Sequence, residues 1–138
     1  MNRKATIAAL AAAGFAGVAQ PQATADRSVW DGVYTAQQAA RGAALYAREC
    51  AECHGPTLRE RDGAPPLAAP EFLAAWNGFS AADLFERIRK TMPTAAPGKL
   101  TAKEYADVLA LILEANAFPA GSAELDGRAD SLGRIRIE

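Results

Sequence analysis

Three stretches of the chain carry apolar side chains at helical spacing. In the first, from about Ala36 to Glu49, the positions Ala39, Gly42, Tyr46 and Cys50 recur at intervals of three, four and four, so they share one face. Thr35 stands before it and Gln38 three places on, which predicts a capping box, each side chain serving the other's free backbone N–H. The second follows Ser80, with Asp83 in the first turn where an acidic group suits the helix dipole. Leu84, Phe85 and Ile88 predict its buried side, and Asp83, Glu86, Arg87, Arg89 and Lys90 its wet side. The third runs from Ala102 to Asn116 behind a Thr101/Glu104 capping box. It aligns Tyr105, Val108, Leu109 and Ile112, with Leu111 and Leu113 widening the face. A shorter helix from Glu71 to Asn77 is expected to turn Phe72, Leu73 and Trp76 inward. No run alternates with a period of two, so the pattern predicts an all-α fold.

The breakers place the connections. Gly55 and Pro56 end the first helical run, and Gly63, Pro65, Pro66 and Pro70 mark residues 57 to 70 as a loop. Residues 26–34 read as an extended lead-in, with Trp30 and Tyr34 packing on the body. Residues 35–118 form the domain proper. The extension 119–138, with Pro119, Gly121, Gly127 and Gly133, is expected to be loosely held, Leu132, Ile135 and Ile137 touching the body. A glycine inside a helix costs about 1 kcal/mol relative to alanine. Gly42 therefore predicts the close approach of another helix, with Tyr105 filling the gap where the first and last helices cross; the alternative is a merely tolerated glycine.

Composition adds a compartment and removes a partner class. Arg3 and Lys4, an Ala-rich apolar run from Ala5 to Ala19 and the small residues Ala23-Thr24-Ala25 read as a secretory signal peptide over residues 1–25. An uncleaved anchor is disfavoured: fifteen helical residues rise about 22 Å against a hydrocarbon core of about 30 Å. Without the leader, thirteen basic side chains face sixteen acidic ones, a net charge of −3. That mild acidity argues against nucleic acid as a partner. At 138 residues, half of them apolar, the chain suits one small domain with a thin core of its own.

The chemistry gathers in Cys50-Ala51-Glu52-Cys53-His54. Two thiols three positions apart on a tight turn can add to two vinyl groups on one edge of a porphyrin, leaving the next side chain beneath the iron. The motif reads as covalent haem attachment with His54 as first axial ligand. A structural zinc site needs four ligands, and the chain holds two Cys and one His in all. A thioredoxin-like pair needs a βαβ setting that the flanking residues lack. A dithiol or a chance pair is the remaining alternative. A buried porphyrin would also supply apolar area that the small core lacks, so the chain without haem is expected to be marginally folded.

Met92 is the counterpart. The residue before a proline is pushed out of helical geometry, so Met92 belongs on an extended loop ahead of Pro93. It is the only methionine besides Met1 and lies 38 positions after His54. Core filling is the usual role of methionine; a chain crossing the far face of the ring makes Met92 the expected distal ligand. Pro66 and Leu67 are expected to cover the proximal edge, the Pro65 or Pro66 carbonyl accepting from the second His54 nitrogen. Trp76 is expected in the haem wall, its indole N–H within reach of a propionate. Arg87, Arg89, Lys90, Lys99 and Lys103 flank Met92 in sequence, either as a positive docking rim or as an ordinary solvated face.

With CAECH, Gly42 and Tyr46 before it, the Thr91-Met92-Pro93 step after it and an aromatic last helix, the chain resembles the class I monohaem cytochromes c over roughly Thr35 to Asn116. The lead-in Val29-Trp30-Asp31-Gly32-Val33-Tyr34-Thr35 is similar to that of small bacterial cytochromes found alongside, or fused to, quinoprotein dehydrogenases. The resemblance implies a small orthogonal helical domain around one covalent haem c, attached through Cys50 and Cys53 outside the cytoplasmic membrane, with His54 and Met92 on the iron. Both axial positions would be filled, and no second histidine is present to act as distal acid or base. The reading is a soluble periplasmic one-electron carrier and not an enzyme, passing electrons from a periplasmic dehydrogenase to a terminal oxidase. The alternatives are a haem c subunit held permanently by a larger dehydrogenase, or a gas sensor in which Met92 is labile.

Overall fold

The helices form where their local signals put them. In a computed structural model describing residues 27–59, 63–68 and 70–138, α1 spans Ala36–Glu49, a short α2 Ala51–His54, α3 Pro70–Trp76, α4 Ala81–Thr91, α5 Ala102–Ala115 and α6 Ala129–Leu132. The expected leader over residues 1–25 lies outside the described residues. Ser80/Asp83 and Thr101/Glu104 both close full capping boxes at the starts of α4 and α5. The box expected at α1 is only half made. Thr35 caps the Gln38 N–H, but the fully buried Gln38 side chain turns to the backbone of Leu125, donating at 2.9 Å and accepting at 2.9 Å. A buried amide left without partners would cost more than a lost cap, so the distant backbone wins.

At the centre of the fold α1 crosses α5. A Cβ on Gly42 would run into the Asp107 carbonyl and lie 3.1 Å from Leu111 Cβ. The partner is therefore the Asp107 backbone and not the Tyr105 ring: two helices in backbone contact leave no room for an aromatic group. Tyr105, two residues earlier and on another side of α5, stands edge-on to Phe85, with its hydroxyl donating to the Met92 carbonyl at 2.8 Å. Residues Tyr105 to Leu113 are buried without a break, because α5 is covered on several sides. The cluster around it takes in Val29, Tyr34, Leu45, Phe72, Leu84 and Phe85.

Asp107 is 3 % exposed and carries the crossing's one buried charge among the described residues. Arg41 grips it in a two-pronged pair at 2.9 and 3.0 Å, Lys103 stands 3.4 Å away, and Arg41 also reaches Glu124 at 2.8 Å. Burial pushes the Asp107 carboxyl up; the Arg41 hydrogen bonds and the two cations outweigh it and hold the group below its ordinary value of 3.8.

The segment after α5 is not the loose extension expected. Leu125, Leu132, Ile135 and Ile137 are buried, the last completely, and they join the main core. The strap closes on the start of the chain: β1 (Arg27–Ser28) pairs in parallel with β2 (Ile135–Arg136), so a two-residue strand forms at each end of an otherwise helical fold. Ile137 exchanges backbone bonds with Gly78 at 2.7 Å and Phe79 at 2.9 Å. The Trp30 indole donates to the Glu138 carbonyl at 2.7 Å and stands edge-on to Phe118. The lead-in is accordingly a capped 3-10 turn over Val29–Asp31, with Tyr34 buried and Trp30 half exposed. Leu73, expected inside, sits on the open side of α3, while Phe72 is buried. No helix among the described residues is long and apolar enough to cross a membrane.

Ile137→Ala should lower stability by about 2–5 kcal/mol in urea titration, as for a fully buried aliphatic side chain; a loss under about 0.5 kcal/mol would restore the loose-tail picture. Because ionised Asp107 is favoured in the folded chain, its contribution is present above pH 3.8 and fades as pH falls through its lower folded value. Asp107→Asn should therefore be less stable at neutral pH and lose stability less steeply below about pH 4. Equal slopes of unfolding free energy against pH in the two proteins would show that Asp107 adds nothing to the acid sensitivity.

Candidate haem site

A cavity of about 700 Å³ opens beside the end of α1, within the roughly 300–1,000 Å³ usual for cofactor sites. Cys50, Cys53 and His54 line one side, Met92, Pro93 and Thr94 another. Trp76 and Phe79 come from the region of α3, Leu84 and Ile88 from α4, and Val108 and Ile112 from α5. Pro65, Pro66 and Leu67 complete the wall. All seven residues read from the sequence as cofactor contacts, Cys50, Cys53, His54, Met92, Pro66, Leu67 and Trp76, thus face one hollow. A second hollow of about 580 Å³ under the strap, bordered by Arg27, Arg128 and Arg134, contains none of them.

Each chemically active side chain is held by its neighbours. Cys50 ends α1, its N–H bonded to the Tyr46 carbonyl, and α2 turns Cys53 and His54 around it. The Tyr46 hydroxyl donates to the Gly55 carbonyl at 2.6 Å, tying the body of α1 to the far end of the motif. Gly55 has φ of +70°, a turn that favours glycine. His54 is 7 % exposed, and its Nδ1 lies 3.1 Å from the Pro65 carbonyl, not that of Pro66. A carbonyl only accepts, so Nδ1 carries the proton and Nε2 keeps its lone pair. The loop bearing Pro65 is itself pinned: Leu67 and Ala68 both donate to the Leu58 carbonyl, and Asn116 donates to the Leu67 carbonyl at 2.9 Å.

Met92 caps α4 in extended geometry, φ −126° and ψ 151°, as a residue before proline should, and its peptide bond to Pro93 is cis. Its carbonyl is fixed by Tyr105, so the backbone is anchored to α5 while the side chain borders the cavity. Burial first, then the Glu49 carboxylate and neighbouring Cys53, push the Cys50 thiol up to about 11, with Lys99 drawing it partly back. Before modification Cys50 is thus a neutral thiol near pH 7.

The cations flanking Met92 in sequence do not form an open positive rim. Arg89 and Lys90 both pair with Glu86 on their own helix, Lys99 with Glu49, and Lys103 with Asp107. Arg89 and Lys90, with the aid of their hydrogen bonds, hold Glu86 down to about 2. Only Arg87 of the five borders the cavity. Its walls at Leu84, Ile88, Val108 and Ile112 were not singled out from sequence. The signal was there as i,i+4 pairs, Leu84/Ile88 on α4 and Val108/Ile112 on α5, the latter three residues after Tyr105.

Two sulfurs at one lip, an imidazole with its outer nitrogen tied back, a thioether sulfur on the bordering loop and apolar walls fit a covalently attached porphyrin. Fold and site together define a cytochrome c: a small helical domain built around haem and serving electron transfer. Residues 37–112 match the family model described as cytochrome c oxidase, cbb3-type, subunit III, and with more than half of its length inside that match the chain belongs to this family. No curated protein and no solved structure matches it.

The double variant Cys50→Ala/Cys53→Ala should lose the covalently bound pigment and much of its helical circular dichroism, since the cavity walls would be left facing water. A spectrum and melting temperature equal to those of the parent would show that the walls do not need the porphyrin.

Proposed function

We propose that the protein is a periplasmic one-electron carrier of the class I monohaem type, exported by its leader and holding one haem c. Cys50 and Cys53 form the thioethers, and His54 and Met92 take the two axial positions of the iron. The observation that carries the reading is that the single imidazole and Met92 border the same cavity while His54 Nδ1 is committed to the Pro65 carbonyl. That hydrogen bond presents Nε2 as the donor and raises its basicity. Haem iron bound by histidine and methionine gains and loses one electron at a raised potential. Pro66, Leu67 and Trp76 keep water from the ring, and the Tyr105 bond holds the Met92 backbone in place through the redox change.

With both axial positions taken, no site is left for a substrate, so the electron enters and leaves at the haem edge, between a dehydrogenase donor and an oxidase acceptor. The second reading is a subunit held permanently by a larger redox enzyme, favoured by a family description that names an oxidase subunit. Size-exclusion chromatography of native extract separates the two, since a free carrier without its leader elutes as a small monomer, below the 14.5 kDa of the full chain. The oxidised holoprotein should show the far-red absorption band of methionine sulfur on ferric iron, and Met92→Ala should abolish it. A parent lacking that band, or a Met92→Ala protein retaining it, would sink the His/Met assignment. Rapid uptake of carbon monoxide by the reduced parent would point instead to a labile Met92 and a gas sensor.

A further inference from the structure

The segment that carries Met92 is fastened to the body at two points. One is the Tyr105 hydroxyl on the Met92 carbonyl. Beyond it the chain folds on itself, Ala96 N–H to the Pro93 carbonyl and Lys99 N–H to the Ala96 carbonyl, and residues 94–99 are exposed. The second fastening is at its far end, where the Lys99 ammonium pairs with the Glu49 carboxylate. Glu49 is the last residue of α1, directly before Cys50. The pair therefore joins the end of α1 that carries the attachment motif to the far end of the loop whose Met92, Pro93, Thr94 and Ala95 line the same cavity. The Glu49 side chain is 19 % exposed and that of Lys99 43 %, a partly shielded pair.

We infer that the Glu49–Lys99 ion pair is a latch that holds the Met92–Lys99 loop shut over the cavity and so sets how readily the Met92 sulfur withdraws from the iron. The inference rests on Met92 as axial ligand. Glu49 and Lys99 act as positioning residues: Lys99 lies outside the cavity lining, Glu49 lines the cavity beside Cys50, and both act through the loop. Among the cations flanking Met92, Arg89 and Lys90 are held by Glu86 and Lys103 by Asp107. Cutting the pair frees the outer half of the loop while the Tyr105 anchor stays.

The test measures carbon monoxide uptake by the reduced holoprotein in stopped flow, since the gas enters only when the sulfur has left. Lys99→Gln and Glu49→Gln should each bind roughly two- to fivefold faster than the parent, the range set by a partly exposed ion pair. The charge swap Glu49→Lys/Lys99→Glu should return the rate to near the parent's. About 1 M salt, where screening acts within about 3 Å, should speed the parent but leave Lys99→Gln unchanged. Equal rates in the parent and the two single variants overturn the latch, as does a swap that stays fast, because that is general loosening. Met92→Ala separates the underlying reading: if it binds the gas no faster than the parent, the axial assignment fails and the latch with it. If it binds much faster while Lys99→Gln matches the parent, the latch alone fails.

Discussion

The contact between Gly42 and the Asp107 carbonyl fixes the frame on which everything else is hung. Two helices meeting backbone to backbone cannot slide without separating, since any side chain on the first would collide with the second. From that crossing, α1 runs on to Cys50 and the attachment turn, and α5 presents Val108 and Ile112 to the cavity. The Tyr105 hydroxyl, two residues before Asp107 on the same helix, reaches the Met92 carbonyl. The two sides of the cavity are thus referred to one point. The Asp107 carboxylate at the same place gathers Arg41 and Lys103, and through Arg41 the strap residue Glu124. A buried charge is tolerated because each of its oxygens is engaged by a cation.

What the sequence made legible were features decided within a few residues. Ser80 with Asp83 and Thr101 with Glu104 set their helix starts with no help from the rest of the fold. Met92 before Pro93 had to leave helical geometry, and Cys50 to His54 had to form a turn. What stayed hidden depended on partners far along the chain. Gln38 has the right spacing for a cap, but its amide is matched by the backbone of a residue 87 positions away. The C-terminal segment has too few apolar residues and too many glycines to announce a helix or a strand. Its Ile135 and Ile137 are ordered by the lead-in and by the α3–α4 turn, and no local pattern encodes those surfaces.

The site follows the same division. Its attachment motif is compact and carries its own chemistry, so five consecutive residues suffice to suggest it. The acceptor for His54 was narrowed to two adjacent prolines, and the choice of Pro65 depends on how the loop is pinned by Leu58 and Asn116. The positive flank of Met92 could be read either as a docking rim or as a solvated face, and the i,i+3 and i,i+4 pairing of Arg89 and Lys90 with Glu86 favours the solvated face for those two. Leu73 illustrates a further limit: in a helix of two turns, the phase of three apolar positions does not decide which one faces out.

The strap also bears on how the molecule comes into being. Ile137 completes the backbone bonding of Gly78 and Phe79, between α3 and the start of α4, and its strand pairs with residues at the front of the chain. The stretch between α3 and α4 thus takes its outer backbone partner from a segment far along the chain. Closing the two ends brings together segments separated by most of the chain, a non-local pairing of the kind that slows folding relative to local helix formation. The attachment turn itself stays open to solvent in the finished fold, with the Cys53 thiol exposed and the Cys50 thiol partly so.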